Sequence, residues 1–182
     1  MFARTPRLTL RPAWAEDAVA LAAAIGHEHV ARTLGGVPFP YRLTDAQAWV
    51  AEPRSAHEPR FLIFAHDDGA PRLIGGIAIA ESRAVGHPAT LGYWLTPEAW
   101  GHGYATEAGR AVIDMARHAL PIERLGAWHF ADNPASGRVL RKLGFEPTGM
   151  TLRKDAAGRS GSAPCTEYEL DLSIRSAMPI AA

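Results

Sequence analysis

The segment GYWLTPEAWGHGYATEA, residues 92–108, joins an apolar stretch to an amphipathic helix through a turn that contains two glycines. From Tyr104 onward, apolar residues recur at helical spacing, and Pro121 follows the end of this pattern. Backbone amides at a helix N-terminus lack intrahelical partners and carry partial positive charge, so they can bind an anion. Gly101 and Gly103 would let a phosphate approach these amides, although a plain tight turn would also explain them.

Two common phosphate-binding motifs do not fit this turn. A P-loop has Lys and Ser or Thr directly after its last glycine, whereas Tyr104 and Ala105 follow here. A dinucleotide-binding fingerprint has a third glycine, whereas Thr106 occupies that place, and the next strand does not end in an acidic residue. Neither motif therefore accounts for the two glycines of this turn.

Length and composition predict an ordinary globular protein. The 182 residues fit a single domain, residues 1–182, with 47% hydrophobic and 21% charged residues. Nineteen basic residues balance nineteen acidic ones, which argues against nucleic acid or a membrane surface as partner. Cys165 is the single cysteine, which excludes an intrachain disulfide and a thiolate metal cluster. Because the N-terminal sequence lacks the apolar run of a signal peptide, we expect a cytoplasmic protein.

The order of predicted elements indicates a mixed α/β (α+β) fold. Strands are predicted at residues 7–13, 60–67, 72–80, 89–95, 124–130 and 165–172. Helices are predicted at residues 14–26, from a capping box formed by Thr44 and Gln47, from Tyr104, and over residues 133–144. The early strands form a hairpin and a meander, whereas the later strand–helix–strand order predicts a parallel pair. We expect a central, mostly antiparallel mixed sheet flanked by helices.

Together with NPASGRVLRKLGFEPTG, residues 133–149, the segment at 92–108 resembles the GNAT acyltransferase superfamily. More narrowly, it resembles the RimJ/RimL-like branch, which acetylates amines with acetyl-CoA. The superfamily signature Arg/Gln-x-x-Gly-x-Gly/Ala falls on Trp100, Gly103 and Ala105, and an aromatic first residue is usual in this branch. VPFPYRLTDAQAWV, residues 37–50, resembles the acceptor-side helical segment of the branch. The resemblance implies a GNAT-type sheet in which a parallel strand pair opens a coenzyme A cleft.

The resemblance also implies which residues bind the coenzyme. The pyrophosphate would bind the main-chain amides of Gly101, His102, Gly103, Tyr104, Ala105 and Thr106. The pantetheine arm would pair with the backbone near Leu95 and contact Asn133, while Arg138 and Arg141 would reach the 3′-phosphate. Other roles remain open, because Asn133 also fits a helix N-cap before Pro134, and the two arginines fit a solvated helix face.

Candidate catalytic residues follow from the same resemblance. Ser136 stands where RimL-type members have a serine proposed to protonate the departing thiolate. Many superfamily members instead use a tyrosine one turn further along, but Leu140 occupies that place. The acceptor amine must also lose a proton, and the candidates for this base are His129, His87, Asp155 and a chain of waters that reaches solvent.

These observations predict an N-acetyltransferase that moves an acetyl group from acetyl-CoA to a primary amine by direct attack. The acceptor would be a small molecule or a peptide, including a protein N-terminus, and the protein a monomer or homodimer. Two alternatives remain, namely another acyl donor such as succinyl-CoA and a non-catalytic acyl-CoA-binding protein. No metal is expected, because His27, Glu28 and His29 do not form a metal-binding motif. The aromatic residues Phe39, Tyr41, Trp49, Trp94 and Trp100 fit either an acceptor pocket or the core.

Overall fold

The computed structural model describes residues 2–53, 55, 57–67, 69–82 and 86–173, and its centre is an eight-stranded sheet. The strands are β1 (Ala3–Arg4), β2 (Leu8–Arg11), β3 (Arg60–Ala65), β4 (Arg72–Ala80), β5 (Ala89–Leu95), β6 (Arg124–Phe130), β7 (Glu146–Lys154) and β8 (Ala163–Asp171). The α-helices are α1 (Ala18–Ile25), α2 (Glu28–Ala31), α3 (Leu43–Ala51), α4 (Tyr104–Ala119) and α5 (Pro134–Lys142). The strand order across the sheet is β1-β2-β3-β4-β5-β6-β8-β7.

The central pair β5–β6 is parallel, and every other strand pair in this sheet is antiparallel. Helix α4 forms the connection between β5 and β6, and a crossover of this kind brings the second strand back in the same direction. The predicted mixed, mostly antiparallel sheet with one parallel pair is therefore confirmed. Pairing between β5 and β6 is confined to Ala89 with Leu125 and Thr90 with Gly126, so the two strands diverge further along.

Helices cover both faces of the sheet. On one face, Leu91 and Leu95 of β5 pack in a buried cluster with Val112 of α4 and Leu140 of α5. On the other face, a second cluster joins Leu62 of β3 to α1 and α3, with Trp94 of β5 packed against it. Alternate residues of β5 therefore pack in different clusters, one on each face of the sheet. The gap between β5 and β6 lies between these two clusters.

The start of α3 differs from the prediction. The expected capping box was Thr44 with Gln47, but the helix begins at Leu43 and Arg42 is its N-cap. The Asp45 carboxylate accepts a hydrogen bond from the Arg42 amide at 2.7 Å. A carboxylate in the first turn makes a charge-assisted bond and also interacts favourably with the helix dipole. Asp45 therefore sets the start of the helix.

Strand β7 was not predicted. It includes Pro147 and Gly149, and its residues are almost all exposed, so it lacks the alternation of apolar residues that indicates a strand. It forms the outer edge of the sheet, where proline and a register irregularity between Pro147 and Thr151 are tolerated. The short elements β1 and α2 also escaped prediction, since four residues or fewer carry no measurable periodicity.

Within the described ranges, no helix combines the length and the apolar character that a membrane span requires. The same residues contain no group of three or more His, Cys, Asp or Glu side chains suited to holding a metal ion.

Candidate functional site

The divergence of β5 and β6 opens a cleft of about 470 Å³. Its walls come from β5, the glycine turn, the start of α4, the end of β6 and one face of α5. The loop at residues 33–35 lines the cleft from the side of α2. The segment at 92–108 and the start of α5 therefore meet at one site, although they are distant in sequence.

The main chain of β5 presents an open edge to this cleft. The Thr96 amide donates to the Ile74 carbonyl of β4 at 2.8 Å, so by antiparallel alternation Leu91, Tyr93 and Leu95 direct their amides and carbonyls toward β6. Among the described residues, no strand pairs with β5 beyond Thr90 on that side. An extended ligand with amide groups can add to such an edge by main-chain hydrogen bonds.

The carbonyl of Leu95, at the end of this open edge, already accepts one hydrogen bond. It comes from the indole Nε1–H of Trp100 at 2.9 Å. The Trp100 side chain is otherwise half exposed beside the glycine turn. A ligand at this point would use the second lone pair of the carbonyl or the Leu95 amide.

The turn between β5 and α4 requires glycine for conformational reasons. Gly101 and Gly103 both have φ of +81°, a left-handed conformation that residues with a side chain rarely adopt. A Cβ on Gly101 would have no heavy atom within 4 Å, and one on Gly103 would lie 3.6 Å from Arg7 Nη2. The first hydrogen bond of α4 runs from the Glu107 amide to the Gly103 carbonyl, so the amides of Ala105 and Thr106 have no intrahelical acceptor.

An ion pair supports this turn from outside the cleft. Arg7 Nη1 donates to the His102 carbonyl at 3.0 Å, and Arg7 Nη2 lies 2.6 Å from Glu107 Oε2. Thr5 donates its hydroxyl to Glu107 Oε1 at 2.6 Å. Burial by itself would raise the pKa of Glu107, but the hydrogen bonds from Thr5 and Arg7 and the positive charge of Arg7 outweigh it and lower that pKa. Glu107 is therefore ionised at neutral pH and attaches the first turn of α4 to the β1–β2 turn.

Ser136 lies at the start of α5 and contacts a tyrosine of β5. Its Oγ is 2.8 Å from the Tyr93 hydroxyl oxygen, and the same tyrosine hydroxyl donates to the Ser136 carbonyl at 3.2 Å. Burial raises the pKa of Tyr93 to about 12, with a smaller opposing effect from the Ser136 hydrogen bond. Tyr93 is thus a neutral hydroxyl beside Ser136. Asn133 is the N-cap of α5, and its Oδ1 accepts from the Ser136 amide at 3.3 Å.

His129 is buried, and both of its ring nitrogens have partners. Nδ1 lies 2.8 Å from the Phe130 carbonyl, which can only accept, so Nδ1 carries a proton. Nε2 lies 3.4 Å from the Tyr168 hydroxyl and packs against Gly137, where an added Cβ would be only 2.6 Å away. Sequence periodicity could not predict these partners, because Tyr168 is on β8 and Gly137 on α5, whereas His129 is on β6.

The structure brings most of the predicted site residues to the cleft. The predicted residues that line it are Leu95, Gly101, Gly103, Tyr104, Ala105, Thr106, His129, Asn133, Ser136 and Arg138. His102 contributes its carbonyl to the outer side of the turn, and His87 is exposed before β5, at the end where β5 and β6 are paired. Neither side chain is among the residues that line the cleft.

Sequence reasoning missed several residues that line the cleft. Lys142 follows Arg138 at the i+4 spacing that places two side chains on one helix face, so helical periodicity could have identified it. Arg141, by contrast, lies with its guanidinium 5.8 Å from the centre of the Tyr168 ring. Tyr93 and Trp128 also line the cleft, but no local pattern connects either of them to α5 or to the loop at 33–35.

Comparison with known proteins gives a consistent result. Residues 7–146 match the acetyltransferase (GNAT) domain family. The chain is 32% identical over 149 residues to the uncharacterized N-acetyltransferase YoaA of Bacillus subtilis (strain 168), covering 80% of this chain and 83% of that protein.

Solved structures share the fold. The ribosomal L7/L12 α-N-protein acetyltransferase RimL in complex with coenzyme A superimposes with a TM-score of 0.78 at 18% identity, over 94% of this chain and 98% of RimL. Spermidine N-acetyltransferase from Vibrio cholerae in complex with coenzyme A and spermine gives a TM-score of 0.76 at 17% identity, over 93% and 98% of the two chains. The family match covers most of the sheet and the whole glycine turn, and we conclude that the chain is an acyltransferase of the GNAT acetyltransferase family.

Proposed function

We propose that this protein transfers an acetyl group from acetyl-CoA to a primary amine by direct attack of the amine on the thioester. The observation that carries the proposal is the open main-chain edge of β5, which leads directly into the glycine turn at the start of α4. Such an arrangement offers amide-pairing groups for a pantetheine arm and helix-terminal amides for a pyrophosphate, in the order in which coenzyme A carries them.

The side chains along the cleft fit the charges of this donor. Arg138 and Lys142 are the cleft-lining cations, and both belong to the same face of α5. Their charges suit the phosphate groups of coenzyme A, while the Ala105 and Thr106 amides suit its pyrophosphate. Asn133 caps α5 with its side-chain oxygen and also lines the cleft, so its side-chain NH₂ group can donate to the pantetheine arm.

Ser136 is the proposed proton donor to the departing sulfur. Its hydroxyl faces the cleft beside the open edge of β5, and Tyr93 fixes its position through two contacts. The Tyr93 hydroxyl has one proton, and when it donates that proton to Ser136 Oγ at 2.8 Å instead of to the Ser136 carbonyl, the serine proton is free to turn toward a sulfur atom. A β5 amide that faces the cleft would polarise the thioester carbonyl, and holding both reactants in one cleft supplies much of the rate.

We further propose that the acceptor amine loses its proton to solvent through a chain of waters. Both ring nitrogens of His129 are already engaged, and His87 lies outside the cleft lining. Asp155 is exposed in the loop beside Gly35, with its carbonyl 3.7 Å from the position of an added Cβ on that glycine. These positions favour an open aqueous route over a dedicated side-chain base.

The proposal is tested by measuring coenzyme A thiol release from acetyl-CoA with a panel of primary amines, including short peptides with free N-termini. We expect amine-dependent release together with a stoichiometric, acetyl-CoA-binding signal in calorimetry. Binding without release for any amine would indicate a non-catalytic acyl-CoA-binding protein. Faster release from succinyl-CoA than from acetyl-CoA, with the same amine, would assign a different donor.

A further inference from the structure

The two walls of the cleft differ in charge. On the side of α4 and α5, Arg138 and Lys142 line the cleft beside Ser136. On the opposite side the lining residues, which we call the uncharged wall, are Thr33, Leu34, Gly35, Thr90, Gly92, Trp94 and Trp128. The assignment to sides follows from alternation along β5, since Tyr93 and Leu95 pack with the α4 cluster and Trp94 packs with the cluster of α1 and α3.

Gly92, in the middle of β5, leaves an open space on the uncharged wall. A Cβ added there would have no heavy atom within 4 Å, and the residue is exposed. Its φ is outside the left-handed region, so the backbone does not require glycine at this position. Glycine inside a strand weakens the strand and often marks a close approach by a ligand. The missing side chain therefore keeps space available where the cleft crosses the sheet.

Two tryptophans border this space and are held in place by packing. Trp94 is two residues from Gly92 on the same face of β5, and its Nε1 would be 2.6 Å from a Cβ on Gly76 of β4. Trp128 of β6 packs with its ring edge 3.3 Å from the Cβ position of Gly35, and it meets Phe130 edge to face at 5.3 Å. Glycine at 35 and 76 thus allows both indoles to lie close to the main chain, and the aromatic surface is formed before any ligand binds.

The charges near this wall suit one ammonium group better than several. Lys154 Nζ lies 5.0 Å from the centre of the Trp128 ring, so a cation already occupies one side of that indole. Asp155, the residue after Lys154, has an exposed carboxylate, and its main-chain carbonyl lies beside the loop at Gly35. An aromatic wall attracts a single ammonium group through the π face of its rings. The further positive charges of a polyamine would be repelled by Lys154, and no carboxylate among the residues of this wall would offset that repulsion.

We propose that the uncharged wall is the acceptor subsite, that it takes a primary amine carried on an uncharged apolar or aromatic group, and that Gly92 determines its depth. The inference rests on the proposed acetyl transfer for the identity of the reacting group. It adds the class of the acceptor and a residue that controls specificity.

The experiment compares phenethylamine with spermidine as acceptors for the wild type and for Gly92→Ala and Gly92→Val. Valine suits a strand, and the open space around Gly92 leaves room for either side chain, so both variants should fold. We expect wild-type kcat/KM to be at least about tenfold higher for phenethylamine than for spermidine. The KM for phenethylamine should rise slightly in Gly92→Ala and about tenfold or more in Gly92→Val, while the Kd of acetyl-CoA stays within about twofold. The control is Thr9→Val on β2, a change without added volume at a residue that does not line the cleft, and it should leave both values unchanged.

A second measurement separates this inference from the proposed function. Phenethylamine is titrated by calorimetry into the protein saturated with coenzyme A, which needs no turnover. Binding that weakens in Gly92→Val supports the acceptor subsite even if no acetyl transfer occurs, in which case the proposed function is wrong. Acetylation that is equally efficient in wild type and Gly92→Val would overturn the role of Gly92. A preference for spermidine would overturn the uncharged acceptor class.

Discussion

At the scale of single residues, the cleft contains hydroxyl groups whose positions depend on one another. Ser136 Oγ and the Tyr93 hydroxyl are 2.8 Å apart, and Asn133 holds the Ser136 amide at the start of α5. A raised pKa keeps Tyr93 neutral over the physiological range, so this residue acts as a hydrogen-bonding partner and not as a base. In our proposal Ser136 is the proton donor of this cluster, and Tyr93 is its hydrogen-bonding partner.

Replacement of Ser136 tests its role as a proton donor. Ser136→Ala keeps the main-chain amide that Asn133 caps, so α5 should remain intact. We expect kcat to fall by about 10²-fold, because the lost interaction belongs to the transition state, with little change in the Kd of acetyl-CoA. Steady-state kinetics and calorimetry measure the two effects, and Tyr93→Phe should lower kcat by less. A loss of threefold or smaller in Ser136→Ala would make Ser136 an ordinary helix residue.

The route of the acceptor proton is tested by the pH dependence of kcat/KM. With a chain of waters, the ascending limb should follow the pKa of the acceptor amine, so two acceptors of different pKa should give two different limbs. Tyr93, with a pKa of about 12, should add no further limb below that range. The variants His87→Ala and His129→Gln should keep the limb of the wild type. A limb that stays fixed when the acceptor changes would point to a titrating side chain instead.

At the scale of elements, the glycine turn combines a conformational requirement with a position in the cleft. Gly103 is the N-cap of α4 in a left-handed conformation, and its carbonyl accepts the first hydrogen bond of the helix. A Cβ on Gly103 would point toward Arg7. A side chain at this position would therefore affect ligand binding by changing the backbone conformation of the turn.

Gly103→Val should therefore distort the turn and weaken acetyl-CoA binding by about tenfold or more. Forcing a residue with a side chain into this conformation costs about 1–3 kcal/mol of stability. Gly149→Val is the matched control, because Gly149 has a similar φ of +79° but lies on the edge strand β7. It should lose comparable stability while keeping the affinity for acetyl-CoA. Calorimetry and thermal unfolding measure both quantities, and equal affinities in the two variants would contradict a role of this turn in binding.

The attachment of α4 to the β1–β2 turn predicts a pH-dependent contribution to stability. Glu107 has a lowered pKa in the folded protein, so its ionised form stabilises the fold above the pKa of the unfolded state. This contribution is lost as the pH falls through the folded-state pKa, which lies below 4.5. Glu107→Gln should cost about 1–3 kcal/mol at pH 7, and the difference from wild type should shrink below about pH 4.

Urea unfolding at several pH values measures this contribution. The control is Glu98→Gln, which changes an exposed acidic residue near the same turn and should leave stability close to wild type. A Glu107→Gln difference that is independent of pH would show that the ionised carboxylate is not its cause.

At the scale of the whole molecule, the cleft crosses one continuous sheet with helices on both faces. We expect the chain to fold as a single domain, in which case circular dichroism and tryptophan fluorescence should report the same unfolding transition in denaturant. Saturation with acetyl-CoA at about 100 times its Kd should add about 2.7 kcal/mol and raise Tm by about 5–10 °C. Two separated transitions, with acetyl-CoA shifting only one of them, would indicate two independently folding units.

The sequence by itself determined the fold class, the order of the main elements and the family. The strand and helix patterns, the Asn133 cap and the glycine turn are local features, in which the physical cause lies within a few neighbouring residues. The strand–helix–strand order of the later elements was likewise sufficient to predict the parallel pair. Strand β7 was missed because an exposed edge strand has no apolar alternation. The start of α3 was misplaced because the Asp45 carboxylate binds the Arg42 amide, so the helix begins before the capping box expected at Thr44 and Gln47.

Only the tertiary structure decided which distant residues work together. Tyr93 and Ser136 are 43 residues apart, and Arg7 and Glu107 are 100 residues apart, so no periodicity connects either pair. The partners of His129, the tryptophans of the uncharged wall and the open space at Gly92 likewise depend on how β5, β6 and α5 meet. Local patterns record which face of an element is buried, whereas the geometry of a cleft arises from the packing of several elements against one another.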